Sequence, residues 1–334
     1  MSNSAVLSIS EPSQAGEARR NAVALASSLG FNETAKGKVA IVVTEIANNL
    51  LQHAKEGLIL LQTINKQNVL GIEILSLDKG PGIDNIDECL RDGFSTAGTP
   101  GNGLGAIFRL SDVFEIYSRP NEGTAILSQL WAAPLSASLP EQLELGVVCL
   151  PKIGEEVSGD AWASKVSQQL CLLLVADGLG HGPLAAKASL EAVRIFEESN
   201  HKSPKEIVEA AHGALRSTRG AALAIAQINF EQQSISFTGV GNIAASFLSP
   251  VKNYNLISHN GTVGHEARKI QEFTHQWHPS GILIMHSDGL SSQWRLERYP
   301  GLSYKHPSLI AGILYRDFNR DRDDVTVLVA REGG

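Results

Sequence analysis

Cysteine is scarce in this 334-residue sequence: only Cys89, Cys149 and Cys171 occur, and none belongs to a CxxC pair. Isolated cysteines argue against a disulfide framework and against a structural zinc site, so we expect them to be small core residues. Long apolar runs are also missing. The longest covers residues 170–176, whereas a membrane-spanning helix needs roughly 20 apolar residues. The sequence therefore predicts no transmembrane helix.

The N-terminus, MSNSAVLSISEPS, lacks the basic start and the continuous apolar stretch of a secretion signal, which predicts a cytoplasmic protein. Basic residues are in deficit, because 28 lysines and arginines stand against 35 aspartates and glutamates, a formal charge of −7. The negative balance is spread over both halves, whereas nucleic-acid-binding proteins usually carry a basic stripe. We therefore expect neither a nucleic acid nor a membrane among the partners.

The pattern of secondary structure changes at the Ala-, Ser- and Pro-rich segment 131–140. Since a domain usually has about 150 residues, the length of the chain suggests roughly two domains. We predict a first domain over residues 1–132, a linker over 133–140 and a second domain over 141–334. Helices before strands suggest an α/β sandwich in the first domain, and many strands around two helices suggest a β-sandwich with flanking helices in the second. The predicted fold class is α+β.

Three polar side chains line one face of a predicted helix. In VTEIANNLLQHA, residues 43–54, Glu45, Asn49 and His53 recur at every fourth position, which places them on one helical face. An amide oxygen can ligate Mg²⁺ and a carboxylate can accept a proton, so a cation with a triphosphate would satisfy such a stripe. A solvated helix face would show the same spacing, and the helix alone does not decide between them.

Two glycine-rich segments follow this helix. In LDKGPGI, residues 77–83, a strand ends at Asp78 before two glycines, which permit a close approach of backbone to ligand. The Asp78 carboxylate can accept a hydrogen bond from an amino group. In GFSTAGTPGNGLGA, residues 93–106, a Gly/Ser/Thr loop opens a helical stretch whose exposed amides suit phosphate. Each motif is weak alone, but their order and spacing together predict a nucleotide site.

These motifs resemble the GHKL ATPases and kinases over residues 1–132, and among them the small serine kinases of bacterial sigma-factor partner switching. The resemblance implies a Bergerat α/β sandwich that binds ATP with Mg²⁺. It implies that Glu45 is the catalytic base, Asn49 the Mg²⁺ ligand and Asp78 the adenine contact. The other nucleotide-binding residues implied are Gly80, Gly82, Asn102, Gly103, Gly105 and Thr124. We expect His53 to serve helix packing rather than chemistry.

Four acidic motifs mark the second half of the chain. They are SGDAW (158–162), VADGLGHG (175–182), HSDGLS (286–291) and RDDVTVLV (322–329). One Asp-Gly pair is usually a turn, but here two such pairs each follow an apolar run. Carboxylates gathered at the ends of buried strands are unfavourable unless cations lie among them. Oxygen-only ligation favours Mg²⁺ or Mn²⁺ over zinc, so the motifs predict a site for a hard divalent cation.

The acidic motifs resemble those of the metal-dependent serine/threonine phosphatases of the PPM superfamily, in its SpoIIE-type branch, over about residues 140–332. The resemblance implies an αββα sandwich with two Mn²⁺ or Mg²⁺ ions. The metal ligands implied are Asp160, Asp177, the Gly178 carbonyl, Asp288 and Asp323. Asp177 would bridge both ions and is the catalytic residue. Asp324 is the alternative to Asp323, because the doublet leaves one residue of ambiguity.

The two resemblances together imply a bifunctional regulator of bacterial stress or sigma-factor signalling. Its kinase and phosphatase would act on a serine or threonine of a separate STAS-type antagonist protein, and a sigma-factor regulator or a stressosome is a further possible partner. Two alternatives remain open. The ATP-binding domain is only a partner-binding module, or it is an anti-sigma factor, and in both cases only the phosphatase catalyses.

Overall fold

The computed structural model of the chain describes residues 4–54, 56–90, 103–136 and 142–333. The chain divides into two compact units, Met1–Leu139 and Pro140–Gly334. The linker over residues 133–140 stays a prediction, since part of it lies outside the described residues. Within the described ranges, no helix combines the length and the apolar character needed to cross a membrane. All three cysteines are free thiols, of which Cys171 is buried and the others are partly buried.

The first unit is one antiparallel sheet with helices on one face. Its strands are β1 (Ser4–Ile9), β2 (Gly57–Lys66), β3 (Val69–Asp78), β4 (Val113–Arg119) and β5 (Gly123–Trp131). Its helices are α1 (Pro12–Ser28), α2 (Glu33–Asn49), α3 (Ile86–Cys89) and α4 (Gly103–Leu110). The strand order is β1-β2-β3-β5-β4, and every neighbouring pair is antiparallel. Buried residues of α1, α2 and α4 share one apolar core with a single face of this sheet.

Local sequence explains the two long helices. The Asn32 side chain caps α2 by accepting a hydrogen bond from the Ala35 amide at 2.9 Å. Ala18, Ala22 and Ala26 of α1 recur every fourth residue and are fully buried. Because alanine is small, this stripe lets α1 approach the rest of the core closely.

The helix that starts at Glu33 changes its winding before its predicted end. α2 ends at Asn49, and the chain continues as a π-helical turn, Leu50–Ala54. A π turn holds more residues than an α turn, so His53 leaves the face that carries Glu45, and its side chain is exposed. The predicted alignment of three polar side chains is therefore wrong beyond Asn49. The exposure of His53 also shows that it does not pack against the core.

The second unit contains two stacked sheets. The first sheet contains β7 (Asp160–Val166), β8 (Leu170–Gly178), β9 (Ala221–Asn229), β10 (Ser234–Val240), β13 (Ser258–His259) and β14 (Phe273–Gln276). The second sheet contains β6 (Leu143–Leu150), β11 (Ala244–Leu248), β12 (Tyr254–Leu256), β15 (Ile282–His286) and β16 (Val325–Glu332). The strand orders are β13-β10-β9-β8-β7, with β14 beside β10, and β12-β11-β15-β16-β6.

Helices cover the outer faces of both sheets. They are α5 (Pro183–Glu198), α6 (Pro204–Ala214) and α7 (Pro307–Phe318). One apolar core, which includes Val175, Phe237 and Leu328, fills the space between the sheets. A second core lies between α5, α6 and the outer face of the β8–β10 sheet. The layers are therefore helix, sheet, sheet and helix, which confirms the predicted αββα sandwich, as the first unit confirms the α/β sandwich.

Helix α7 was not predicted from the sequence. Every residue from Pro307 to Leu314 is buried, so the segment lacks the polar face that marks an amphipathic helix. The helix packs on β6 and β16, and Gly146 of β6 makes this possible. A Cβ atom at Gly146 would lie 2.0 Å from the Ser308 amide nitrogen, so only glycine fits beneath the start of α7.

Gly123 and Gly30 share a backbone conformation but differ in the space around them. Gly123 and Gly30 have nearly equal positive φ angles, +84° and +81°. A Cβ at Gly123 would lie 2.0 Å from the Asp78 carbonyl oxygen, whereas a Cβ at Gly30 would meet nothing within 4 Å. We expect Gly30→Ala to destabilise the first unit by about 1 kcal/mol through backbone strain, and Gly123→Ala by a further ~1–3 kcal/mol through overpacking.

Hydrogen–deuterium exchange of peptides from residues 4–131 in the full chain would measure both losses. Equal loss of protection in the two variants would contradict the close approach of β5 to the end of β3.

Candidate functional site

The end of α2 and the start of α4 lie against each other in the first unit. Glu45 and Asn49 occupy the last two turns of α2, and both side chains are half-buried. A Cβ atom at Gly103, the first residue of α4, would lie 2.9 Å from Glu45 Oε2 and 3.5 Å from Asn49 Oδ1. The first residue of α4 therefore lies beside a carboxylate and an amide side chain. Gly105 is buried in the same helix, and Asn102 lies outside the described residues.

The carboxylate of Asp78 is fixed at the end of β3. Its Oδ1 atom accepts hydrogen bonds from the amides of Gly80, at 2.8 Å, and Thr124, at 3.1 Å. A Cβ at Gly80 would lie 2.9 Å from Cα of Ala54, so this turn touches the π-helical end of the α2 segment. The strand end, the turn and the first residues of β5 thus form one rigid corner beside the helix that carries Asn49.

Gly82 and Thr124 support this corner from the other side. Gly82 has a φ of +73°, and a Cβ there would lie 2.0 Å from the Arg119 carbonyl oxygen. The Thr124 hydroxyl bonds with Ser118 Oγ at 2.8 Å, and Ser118 Oγ accepts a hydrogen bond from the Ile83 amide at 2.8 Å. Sequence reasoning did not find Ser118, because its role depends on two segments that meet only in the fold.

Two aspartates of the second unit face each other across neighbouring strands. Asp160, the first residue of β7, pairs in register with Asp177, near the end of β8. Asp160 is 5% exposed, and its Oδ2 atom accepts a hydrogen bond from Ser287 Oγ at 2.6 Å. Its Oδ1 atom is buried and has no hydrogen-bond partner among the described residues. An unpaired buried carboxylate oxygen raises the free energy of the folded state and points to a missing cation or proton.

Asp324 is the second buried carboxylate with an unpaired oxygen. It is 3% exposed, and its Oδ1 atom accepts a hydrogen bond from the Lys152 amide at 2.9 Å. Its Oδ2 atom has no partner in the described part of the chain and lies 2.6 Å from the position that a Cβ on Gly159 would take. Asp324 continues the alternation of β16, in which Leu328 and Ala330 point into the sandwich. Its side chain therefore points toward the same interior.

Asp323 and Asp288 are less enclosed. Both are half-buried. Asp323 Oδ1 accepts a hydrogen bond from the Asp324 amide at 3.0 Å, and Asp288 Oδ2 accepts one from Asn242 Nδ2 at 2.5 Å. The sequence motifs pointed to neither Asn242 nor Ser287 as a functional residue. Both contacts join segments that are distant in sequence, so neither residue carried a local signal.

The electrostatics of these aspartates favour a cation. Burial, opposed by a hydrogen bond from Ser287, raises the pKa of Asp160 to about 7. Burial and the nearby charges of Asp160, Asp288, Asp323 and Asp324 raise the pKa of Asp177 to about 9. Burial also raises the pKa of Asp324. Because the carboxylates destabilise one another when ionised, a positive charge placed among them would lower the energy of the folded state.

The donor set fits Mg²⁺ or Mn²⁺, since it consists of oxygen atoms alone and includes two unpaired buried ones. In the described ranges, no group of three or more His, Cys, Asp or Glu side chains is already arranged to hold a metal ion. The carboxylates are close enough for their charges to contribute to the raised pKa of Asp177. A cation would therefore have to draw them together.

Comparisons with known proteins match the two parts of the chain to different families. Residues 9–129 match the histidine kinase-like ATPase domain, and residues 167–332 match the stage II sporulation protein E (SpoIIE) family. The serine/threonine-protein kinase RsbT of Bacillus subtilis (strain 168) is 35% identical over 107 residues, which cover 32% of this chain and 80% of RsbT. The phosphoserine phosphatase RsbX of the same organism is 29% identical over 152 residues, which cover 45% of this chain and 76% of RsbX.

A crystal structure of RsbX in complex with magnesium shares the fold of the second unit. The TM-score is 0.51 at 24% sequence identity, and the match covers 60% of this chain and 100% of the RsbX chain. The resemblance of each half to its family, noted from the motifs alone, is confirmed by these matches.

The raised pKa values predict how the stability of the metal-free second unit depends on pH. The folded-state pKa values of Asp160 and Asp177, about 7 and about 9, lie above the unfolded value of about 3.9. The stabilisation from protonation is complete below about pH 4 and is lost as the pH rises through about 7 and then about 9. In EDTA we expect the Tm of this unit to fall by several degrees between pH 5.5 and 8.5, as measured by scanning calorimetry.

Mn²⁺ should reverse this trend, because it binds only deprotonated carboxylates. We expect the gain in Tm from Mn²⁺ to be larger at pH 8.5 than at pH 5.5. Asp160→Asn should raise the metal-free Tm at pH 8.5, while Glu297→Gln, a change at an exposed acidic residue, should leave it unchanged. A metal-free Tm that rises with pH over this range would contradict the electrostatic coupling.

Proposed function

Because this chain belongs to the RsbT-like histidine kinase-like ATPases in its N-terminal part and to the SpoIIE-type phosphatases in its C-terminal part, we propose that it is a bifunctional partner-switching regulator. The N-terminal domain phosphorylates a serine or threonine of a STAS-type antagonist protein at the expense of ATP. The C-terminal domain removes that phosphate by two-metal hydrolysis. The substrate class rests on the resemblance to partner-switching proteins.

Contacts at the start of α4 support the kinase activity. Glu45 and Asn49 lie against the backbone of Gly103, where the amides of the helix N-terminus suit phosphate oxygens. In the proposed site Asn49 holds Mg²⁺, and Asp78 hydrogen-bonds the adenine. Glu45 orients the incoming hydroxyl and takes its proton. The remaining residues placed around the nucleotide are Gly80, Gly82, Asn102, Gly103, Gly105 and Thr124.

The aspartate cluster supports the phosphatase activity, and its two unpaired buried carboxylate oxygens are the observation that carries the proposal. The residues proposed to hold two Mn²⁺ or Mg²⁺ ions are Asp160, Asp177, the Gly178 carbonyl, Asp288 and Asp323. Bound metal supplies charge neutralisation for the phosphate and a deprotonated water as nucleophile. Ser287 keeps Asp160 turned into the sandwich, and Asn242 orients Asp288.

The doublet Asp323-Asp324 leaves two candidates for one ligand position. The family resemblance favours Asp323, whose side chain is half-buried and more accessible. Asp324 has one oxygen held by the Lys152 amide and the other unpaired, which favours a supporting role or the alternative ligand position. Separate Asp323→Asn and Asp324→Asn variants, titrated with Mn²⁺, distinguish the two because loss of a direct ligand lowers metal affinity more.

Opposed activities on one polypeptide would hydrolyse ATP without result unless one of them is restrained. We therefore propose that the nucleotide state or a bound partner favours one activity at a time. Kinase and phosphatase activities that both run at full rate in the same mixture would argue against this restraint.

Two substitutions should separate the activities. With γ-labelled ATP and a candidate STAS-domain protein, Glu45→Ala should reduce label transfer by at least ~10²-fold, because the base is removed, while release of phosphate from the phosphorylated protein continues. In the presence of Mn²⁺, Asp177→Asn should abolish the release of phosphate, while label transfer continues. Glu33→Ala, at an exposed position at the start of α2, is the matched control for Glu45→Ala.

Label transfer that survives Glu45→Ala would contradict the role of Glu45 as the base, and the absence of transfer by the wild-type chain would remove the kinase assignment. Tight binding of a STAS-domain protein or a sigma factor without any transfer would instead support a partner-binding or anti-sigma role for the first domain.

A further inference from the structure

Exposed apolar side chains collect beside the aspartate cluster. Ile153 and Val157, 76% and 44% exposed, lie just before Asp160, and Leu179 and Leu184, 45% and 55% exposed, lie just after Gly178. These are four of the thirteen exposed large apolar side chains of the described chain, and they occupy two short segments. Contiguous exposed apolar surface commonly marks an interaction site.

The two segments that carry these four side chains are in contact with each other. His181 Nδ1 and Glu155 Oε1 are 2.5 Å apart, which links the segment before β7 to the segment after β8. Glu155 Oε2 lies 2.9 Å from the position that a Cβ on Gly182 would take. Below this link, a Cβ on Gly159 would lie 2.8 Å from Ala185 Cβ. We call Ile153, Val157, Leu179 and Leu184 together the apolar rim.

An arginine lies on the same side of the cluster. Arg219 Nη1 is 3.0 Å from the position of a Cβ on Gly180, so the guanidinium covers the backbone three residues beyond Asp177. The Leu179 amide donates a hydrogen bond to the Gly220 carbonyl at 3.0 Å, which ties the two segments together. Arg219 is exposed, and within the described residues its side chain forms no ion pair or hydrogen bond.

We propose that the apolar rim and Arg219 form the docking surface for the phosphorylated segment of the substrate protein. Arg219 binds a phosphoryl oxygen, and the rim accepts apolar side chains that flank the phosphoserine or phosphothreonine. This inference rests on the proposed phosphatase function and names what its substrate must present.

Charge and polarity select this occupant. Two bound divalent cations would leave the five aspartates with about one net negative charge, and the unpaired guanidinium at the entrance adds a positive charge for the phosphate dianion, since arginine binds phosphate through paired N–H donors. A strongly acidic segment would gain nothing from contact with the apolar rim. A segment with apolar residues on both sides of the phosphate removes the exposed rim side chains from water.

Two phosphopeptides test the surface on the full chain with Mn²⁺. One carries leucines on both sides of a phosphoserine, and the other carries aspartates at those positions. We expect kcat/KM to be at least tenfold higher for the leucine peptide. The double variant Ile153→Ser/Leu184→Ser should lose most of this preference, and Arg219→Ala should raise KM for both peptides at least tenfold. Val251→Ser, at a residue 78% exposed elsewhere in the domain, and Arg216→Ala are the matched controls and should behave as wild type.

Binding is measured separately by fluorescence anisotropy in the Asp177→Asn background, where no turnover consumes the peptide. Hydrolysis of both peptides at equal rates, or rim variants that match their controls, would overturn the docking surface and leave the phosphatase intact. Preferential binding of the leucine peptide without hydrolysis by the wild-type chain would support docking and remove the phosphatase assignment. The absence of both binding and hydrolysis would overturn the docking surface and the phosphatase assignment together.

Discussion

Repulsion among buried carboxylates is the constraint on which the second unit depends. Asp160 and Asp324 are almost fully buried, and burial together with the charges of the neighbouring aspartates raises the pKa of Asp177 to about 9. The apolar core between the sheets provides the stability that holds these groups at one end of the sandwich. The same core prevents them from separating into water, so the folded chain without a cation is less stable at neutral pH than its packing alone would allow.

In the first unit, backbone segments lie very close to the acidic and amide side chains of the candidate nucleotide site. Glycine appears at each point of closest approach. Gly80 touches the π-helical turn, Gly103 lies against Glu45, and Gly123 lies against the backbone at Asp78. Each of these contacts joins a strand end or helix end to the segment that carries a candidate nucleotide ligand. The geometry of the site is therefore set largely by main chain.

Periodicity was sufficient to predict most of the architecture. The apolar run over residues 170–176 lies within β8, and the apolar segments beside the other aspartate motifs correspond to β7, β15 and β16. Helix α7 was not predicted, because burial on all sides removes the amphipathic pattern. The short strands β12 to β14 were not predicted, because they depend on pairing with distant partners rather than on their own composition. The alternation along β16 would have shown that Asp324 points inward.

Contacts between segments distant in sequence were beyond prediction from one chain. Ser287 and Asn242 hold two of the aspartates, yet each lies in a turn that resembles many others. The register that sets Asp160 opposite Asp177 is equally specific. Side chains alternate between the faces of a sheet, so a shift of one residue between β7 and β8 would turn one of these two carboxylates to the helix-covered side. A metal ion would then bind only to the correctly aligned β7–β8 hairpin, and its binding would stabilise that register over the shifted one.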